Sequence, residues 1–298
     1  MDEIKDNDKI TPLQLVVIII LSVLVFFGAT RDTTTQQKIN QNNEAINGAE
    51  ELSLSNDASV ILPVKWNDIG KRMVDVGIID KEKFEAIYIG RGGMNEEMAD
   101  LLYKENNKEL KMTQENAGYL LNLLWAFGIA NKNPVLEDGP MRDAKYGGAG
   151  NFASTGGWDL AVGDTMNHYS RHSFVILSDE QQALVEDVSK NIYRPCCGNS
   201  TYFPDCNHGM AMLGLLELLA SNGVGEEEMY KIALKVNSYW FPETYNTITA
   251  YLHQNGLSLE DVSPKEILGE AYSSVSGYRR ILSLIKTQPT QGGGGCGV

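Results

Sequence analysis

The chain has 298 residues and a net charge of −14, with 43% hydrophobic and 21% charged residues. That length and balance suit one large globular domain or two small ones. No lysine or arginine cluster supplies the basic footprint that nucleic-acid binding or docking on anionic lipid needs, so both are disfavoured. Four cysteines are too few for a disulfide scaffold in a chain this long.

Residues 13–29 read LQLVVIIILSVLVFFGA, without a charge. A run of about 17 apolar residues is the lower limit for crossing a bilayer core. Phe27 and Ala29 match poorly the small residues that a signal-peptide cleavage site requires, so the segment is expected to be an uncleaved single-pass anchor behind an N-terminal tail, residues 1–12. Lys5 and Lys9 precede it and Arg31 and Lys38 follow it, which leaves the positive-inside count tied. By the default that a short tail stays in the cytoplasm, the domain is expected to be extracytoplasmic at the cell membrane. Residues 30–58, rich in Thr, Gln, Asn, Glu and Ser, lack apolar periodicity and predict a polar linker or stalk.

Beyond that, helix punctuation dominates. Asn67 is placed to cap a helix through Val76 that Gly77 ends. Asp80 is placed to cap KEKFEAIYI, with Phe84, Ile87 and Tyr88 on one face. Thr113 is placed to cap QENAGYLLNLLWAF, stopped by Gly128. Ser178 and Gln181 form a capping-box pattern, and Asp205 is placed to cap a helix to Ser221 that Asn222 and Gly223 close. EEEMYKIALKVNSYWF, broken by Pro242, then TYNTITAYLH, residues 264–268 and residues 277–285 complete the set. Period-2 alternation is scarce and best at 173–177. The globular domain, residues 60–288, is therefore expected to be mainly α with at most a short hairpin. Residues 131–164, with Gly147-Gly148 and Gly156-Gly157, predict a long Gly-rich loop, either functional or simply a surface loop pinned by Phe152 and Trp158. No phosphate-binding glycine motif is present. Residues 289–298 are expected to form a flexible Gly-rich tail carrying Cys296.

The chemistry concentrates in residues 193–212, YRPCCGNSTYFPDCNHGMAM. Cys196, Cys197, Cys206 and His208 offer thiolate and imidazole ligands, Met210 and Met212 thioethers, and soft donors of this kind suit Zn²⁺, Cu(I) or iron. The spacing matches no standard zinc-finger template, and adjacent cysteines seldom both reach one tetrahedral ion. Cys206, His208 and one of the pair are therefore the expected core ligands, with Cys296 or Met212 as an adjustable fourth. Two alternatives stay open. One is a thiol–disulfide redox protein using the same cysteines, since a vicinal pair forms a strained, reducible disulfide. The other is a non-catalytic interaction module stapled by a structural disulfide such as Cys197 to Cys206.

A second candidate is His168 with His172, which would share a face if helical, with Asp159 and Asp164 nearby; hydrogen-bonded histidines are the plainer reading. His253 is expected near a helix C-terminus as a charge partner. No HExxH or GxSxG motif supports a metalloprotease or serine hydrolase. The run PCCGNSTYFPDCNHGMAMLGLLELLAS and the GGGGCGV end resemble an uncharacterised family of membrane-anchored proteins from small-genome bacteria, from about Leu62 onward. That resemblance implies a membrane-anchored architecture and no named activity. The expectation is a membrane-tethered domain that binds a thiophilic metal ion (Zn, Cu or Fe) for capture or for transfer to a protein partner at the membrane.

Overall fold

A computed structural model describes residues 59–285, apart from the side chains of residues 106 and 107. The expected span at 13–29, the stalk at 30–58 and Cys296 lie outside the described residues. Among the described residues there are twelve α-helices and two strands, and no helix is long and apolar enough to cross a membrane.

The strands β1 (Val60–Asn67) and β2 (Asn106–Met112) pair antiparallel, with Leu62 opposite Leu110. Leu62, Val64 and Trp66 alternate onto the buried face of β1. The register shifts between Leu62 and Lys65, around Pro63, a residue with no N–H to give to a ladder. Three helices separate the strands, α1 (Ile69–Val76), α2 (Lys81–Ile89) and α3 (Glu96–Tyr103), so the pair is not a hairpin. Asn67 does not cap α1. It ends β1 with φ 50, and Asp68 takes the cap position without a side-chain bond. Gly77 ends α1 and Asp80 caps α2, accepting the N–H groups of Glu82 and Lys83, as the sequence predicts. Residues 173–177 form no strand. Asn131 Oδ1 accepts the N–H of both Phe174 and Val175, groups a ladder would use, and only an isolated bridge joins Asn131 to His172.

The core is organised around α4 (Ala117–Ala130) and α7 (Asn207–Ser221), which pack together and are buried on almost every side. Gly128 lies inside α4 rather than at its end: a Cβ there would stand 2.2 Å from the Met210 carbonyl oxygen, and one on Gly214 would stand 2.7 Å from that of Leu124. Glycine thus marks where the two backbones touch. Thr113 does not cap α4 either, because it exchanges hydrogen bonds with Asn116 before the helix begins.

The stretch from 131 to 164 is more ordered than an irregular loop. It holds α5 (Pro134–Glu137) and three 3-10 turns, at Pro140–Arg142, Ala144–Tyr146 and Ala149–Asn151. Trp158 pins it, with Nε1 donating to the Ile78 carbonyl at 2.8 Å and the ring edge-on to Trp125. Helix α6 (Asp179–Lys190) opens on the expected Ser178–Gln181 capping box. After α7 come α8 (Glu226–Trp240), α9 (Pro242–Gln254), α10 (Pro264–Leu268), α11 (Glu270–Ser273) and α12 (Val275–Leu284). Pro242 starts α9 at its first turn, where its missing N–H costs nothing.

Candidate metal centre

The segment between α6 and α7 is fastened at several backbone points before it delivers its cysteines. Tyr193 N–H donates to the Leu268 carbonyl, Thr201 N–H to that of Ile192, and Tyr202 N–H to that of Ser189. The Cys197 carbonyl accepts from Val275 N–H at the start of α12. At the far end the helix cap differs from expectation: Cys206, not Asp205, is the N-cap residue of α7, and its sulfur accepts the Gly209 N–H at 3.4 Å. The unpaired N–H groups and positive dipole end of α7 thus face this sulfur and favour it as a thiolate.

Asp205 serves Arg194 instead. The guanidinium is 1% exposed and donates Nη2–H to Asp205 Oδ1 at 2.5 Å and to the Phe203 carbonyl at 3.0 Å. Its Nη1 reaches the Asn199 carbonyl at 2.8 Å, and its Nε donates to Cys206 Sγ at 3.1 Å. Asn199 Nδ2 takes the other Asp205 oxygen at 2.7 Å. The guanidinium lies against Gly209, where a Cβ would come 2.5 Å from Cζ, so only glycine leaves room for it on the first turn of α7. One buried cation therefore fixes the loop's shape and compensates negative charge on sulfur.

Three sulfurs converge there as free, half-buried thiols. Cys206 Sγ lies 3.5 Å from Cys196 Sγ and 3.6 Å from Cys197 Sγ, and Cys196 lies 3.9 Å from Cys197. Thiolates bound to one tetrahedral Zn²⁺ at about 2.3 Å stand roughly 3.8 Å apart, so this triangle has the edges of a tetrahedral face. Both members of the vicinal pair lie close to Cys206, though each belongs to a different three-ligand group. A ring nitrogen of His208 lies within 4.8 Å of the Cys196 and Cys206 sulfurs, and a carboxylate oxygen of Asp205 within the same distance of Cys197 and Cys206. The His208 ring is held between Phe241 and Trp240, with centroids at 4.4 and 5.8 Å, and its Nδ1 is buried without a hydrogen-bond partner. A buried imidazole nitrogen without a protein partner, on a ring beside the Cys196 and Cys206 sulfurs, is chemically suited to a ligand role.

The thiols share their protons unequally. The S–H groups of Cys196 and Cys197, with help from Arg194, hold Cys206 well below the usual thiol range despite burial. Hydrogen bonds to Cys197 and Cys206, with burial, push Cys196 up. Cys197 is lowered by Cys196 but raised by Cys206 and burial, and ends at about 12.

The remaining candidates are placed differently. Met210 and Met212 are buried in the hydrophobic core of α7. His168 and His172 do meet, with Nδ1 and Nε2 3.1 Å apart, but not on a helix: a 3-10 turn ends at Asn167 and Ser170 has φ 50. Asp164 caps that turn, accepting the Met166 N–H, and no third ligand joins the two histidines among the described residues. His253 is exposed in the last turn of α9. The 131–164 segment reaches the edge of the centre, where Ser154 N–H donates to the Asp205 carbonyl and Phe152 and Tyr146 meet the Phe203 ring, each at 5.3 Å.

Sequence reasoning missed Arg194, Asn199 and Gly209. The only signal was their proximity to the cysteines in the chain, since nothing in spacing distinguishes an arginine folded under a loop from one in solvent. No family model matches the chain, and no curated protein or solved structure matches it either.

Proposed function

We propose that this domain binds one thiophilic metal ion, with Zn²⁺ the best fit, through Cys196, Cys197, Cys206 and His208. The observation that carries this reading is the sulfur triangle of 3.5, 3.6 and 3.9 Å, with a ring nitrogen of His208 within 4.8 Å of the Cys196 and Cys206 sulfurs. Three thiolates and a divalent ion leave a single negative charge, which the Arg194 guanidinium, donating to Cys206, is placed to offset. Cu(I) and iron accept the same donors. The half-buried sulfurs sit on a surface loop rather than in the core, which suits an ion that is captured and handed on. Residues 13–29 tether the domain to the cell membrane on this reading, with the domain on the extracytoplasmic side and a protein at the membrane as the exchange partner. Cys296 is then a further ligand for transfer.

Metal analysis of the full chain purified under reducing conditions tests the proposal: it expects about one equivalent of Zn, Cu or Fe, lost in Cys206→Ser and strongly reduced in His208→Ala. Stoichiometric metal retained in both variants would place the site elsewhere.

A second reading, thiol–disulfide exchange, rests on Cys206 alone. Its sulfur caps a helix and accepts from Arg194 and Gly209, the setting of an activated thiolate. Turnover of a disulfide substrate by the metal-free chain separates the two, because thiol–disulfide exchange requires it and metal binding does not.

A further inference from the structure

Cys206 occupies a position that no other ligand shares. Among the described residues, two groups of ligand atoms are close enough to hold an ion: Cys196 with Cys206 and His208, and Cys197 with Asp205 and Cys206. Cys206 belongs to both. A bond that consumes its sulfur dismantles both groups at once, whereas a vicinal Cys196–Cys197 disulfide would leave Cys206, His208 and Asp205 in place.

Its sulfur is also the one nearest to a reaction partner. Cys196 Sγ is 3.5 Å away and Cys197 Sγ 3.6 Å, both closer to Cys206 than the vicinal pair is to itself at 3.9 Å. A vicinal disulfide closes a strained eight-membered ring, while a bond across the loop between residues 196 and 206 does not. All three cysteines are partly exposed residues, and the step asks that a small oxidant reach Cys206. Arg194 Nε–H and Gly209 N–H both point at Cys206 Sγ and hold it against its neighbours.

We infer that the centre is a redox-gated metal site, in which a hydroperoxide converts Cys206 and Cys196 to a disulfide and so expels the ion. The inference rests on the metal-binding reading above. The Cys206 sulfur attacks one peroxide oxygen, the O–O bond breaks, and hydroxide leaves, giving a sulfenic acid. The Cys196 thiolate then attacks the Cys206 sulfur, and the S–O bond breaks with loss of a second hydroxide. Both hydroxides take protons from solvent. The balance is two thiolates, one H₂O₂ and two protons giving one disulfide and two waters, with two electrons passing from sulfur to oxygen. The ion departs with its charge unchanged, because the bond takes the shared Cys206 out of both ligand groups and Cys196 out of one, leaving Cys197, Asp205 and His208 without the sulfur that joined them. A dithiol reductant reverses the change by returning two electrons and two protons to the sulfurs.

The test uses the full chain loaded with Zn²⁺ and freed of excess metal. Hydrogen peroxide is added in stoichiometric steps while released Zn²⁺ is read with a chromogenic chelator and disulfides are mapped by non-reducing peptide mass spectrometry. The expected result is one Zn²⁺ released per Cys196–Cys206 disulfide formed, with full rebinding after reduction and metal re-addition. Cys197→Ser, which keeps the reacting pair, should still couple release to that disulfide. Release accompanied by a Cys196–Cys197 disulfide or by sulfinic acids, or retention of Zn²⁺ in tenfold excess peroxide, overturns the gate while leaving metal binding intact. A chain that takes up no Zn²⁺ before peroxide is added overturns both.

Discussion

Arg194 donates its Nε–H to the Cys206 sulfur at 3.1 Å from a position that is 1% exposed, joining a buried cation to the residue that starts α7. The same guanidinium satisfies Asp205 and the carbonyls of Asn199 and Phe203. Removing it takes the cationic donor from two anionic groups and a hydrogen bond from two carbonyls. Breaking a buried charge pair by deleting one partner typically costs about 3–5 kcal/mol. Arg194→Ala should lose stability of that order in urea denaturation, and Arg194→Lys should recover only part, since an ammonium cannot reproduce the planar fork. An alanine variant within 1 kcal/mol of wild type, on the order of a surface change, would remove Arg194 from this role.

The contact between α4 and α7 makes a sharper test of packing. Alanine is the better helix former by about 1 kcal/mol, so on propensity alone Gly128→Ala should stabilise α4. The Cβ it adds would stand 2.2 Å from the Met210 carbonyl oxygen, so the helices must part. We expect a net loss of roughly 1–3 kcal/mol, read as a lower Tm. Met210 lies one half-turn beyond His208, so weakened metal retention should accompany it.

Glu217 gives the domain a pH dependence of its own. Its side chain is fully buried in α7, with Oε2 accepting from Asn131 Nδ2 at 2.5 Å and Oε1 unpartnered. Burial raises its pKa from 4.5 to about 8, against the lowering effect of Asn131 and Asn133. Between those two values the folded chain holds a proton that the unfolded chain has released, so stability falls as pH rises through this window. Above it the full penalty is on the order of 5 kcal/mol. Glu217→Gln, which mimics the protonated acid, should match wild type near pH 5 and be clearly more stable near pH 9. Parallel stability curves for the two proteins would contradict the assignment.

The histidine pair is predicted to be silent in metal binding. His168 and His172 already spend one nitrogen each on one another at 3.1 Å, and nothing completes a coordination shell. Burial first, then His168 and Arg171, lowers the His172 pKa, which disfavours its charged form. His172→Ala should leave the metal content of the chain unchanged. A drop to half the wild-type content would reveal a second site.

How far the sequence could be read depended on range. Caps that act within three or four residues were legible, as at Asp80 and at the Ser178–Gln181 box. The cysteine segment was legible too, because the ligand types are rare and crowded. Gly128 was misread because the close approach of Met210, 82 positions away in the chain, leaves no mark on the residues beside it. β1 escaped because Ile61 and Pro63 place apolar residues on its outer side, which blurs the alternation of Leu62, Val64 and Trp66. Asp205 looked like a helix cap until Arg194 claimed its carboxylate and Cys206 took the cap position. A distant partner decided the role of Gly128, whereas β1 and the α7 cap turned on neighbouring residues whose roles the local pattern left ambiguous.

X-ray absorption at the Zn K-edge of the reduced, Zn²⁺-loaded chain tests the central claim most directly. The predicted first shell is three sulfurs at about 2.3 Å and one nitrogen at about 2.0–2.1 Å. In Cys197→Ser one sulfur should be replaced by a lighter donor. A shell of nitrogen and oxygen alone, or a single sulfur, would contradict a centre built from Cys196, Cys197, Cys206 and His208.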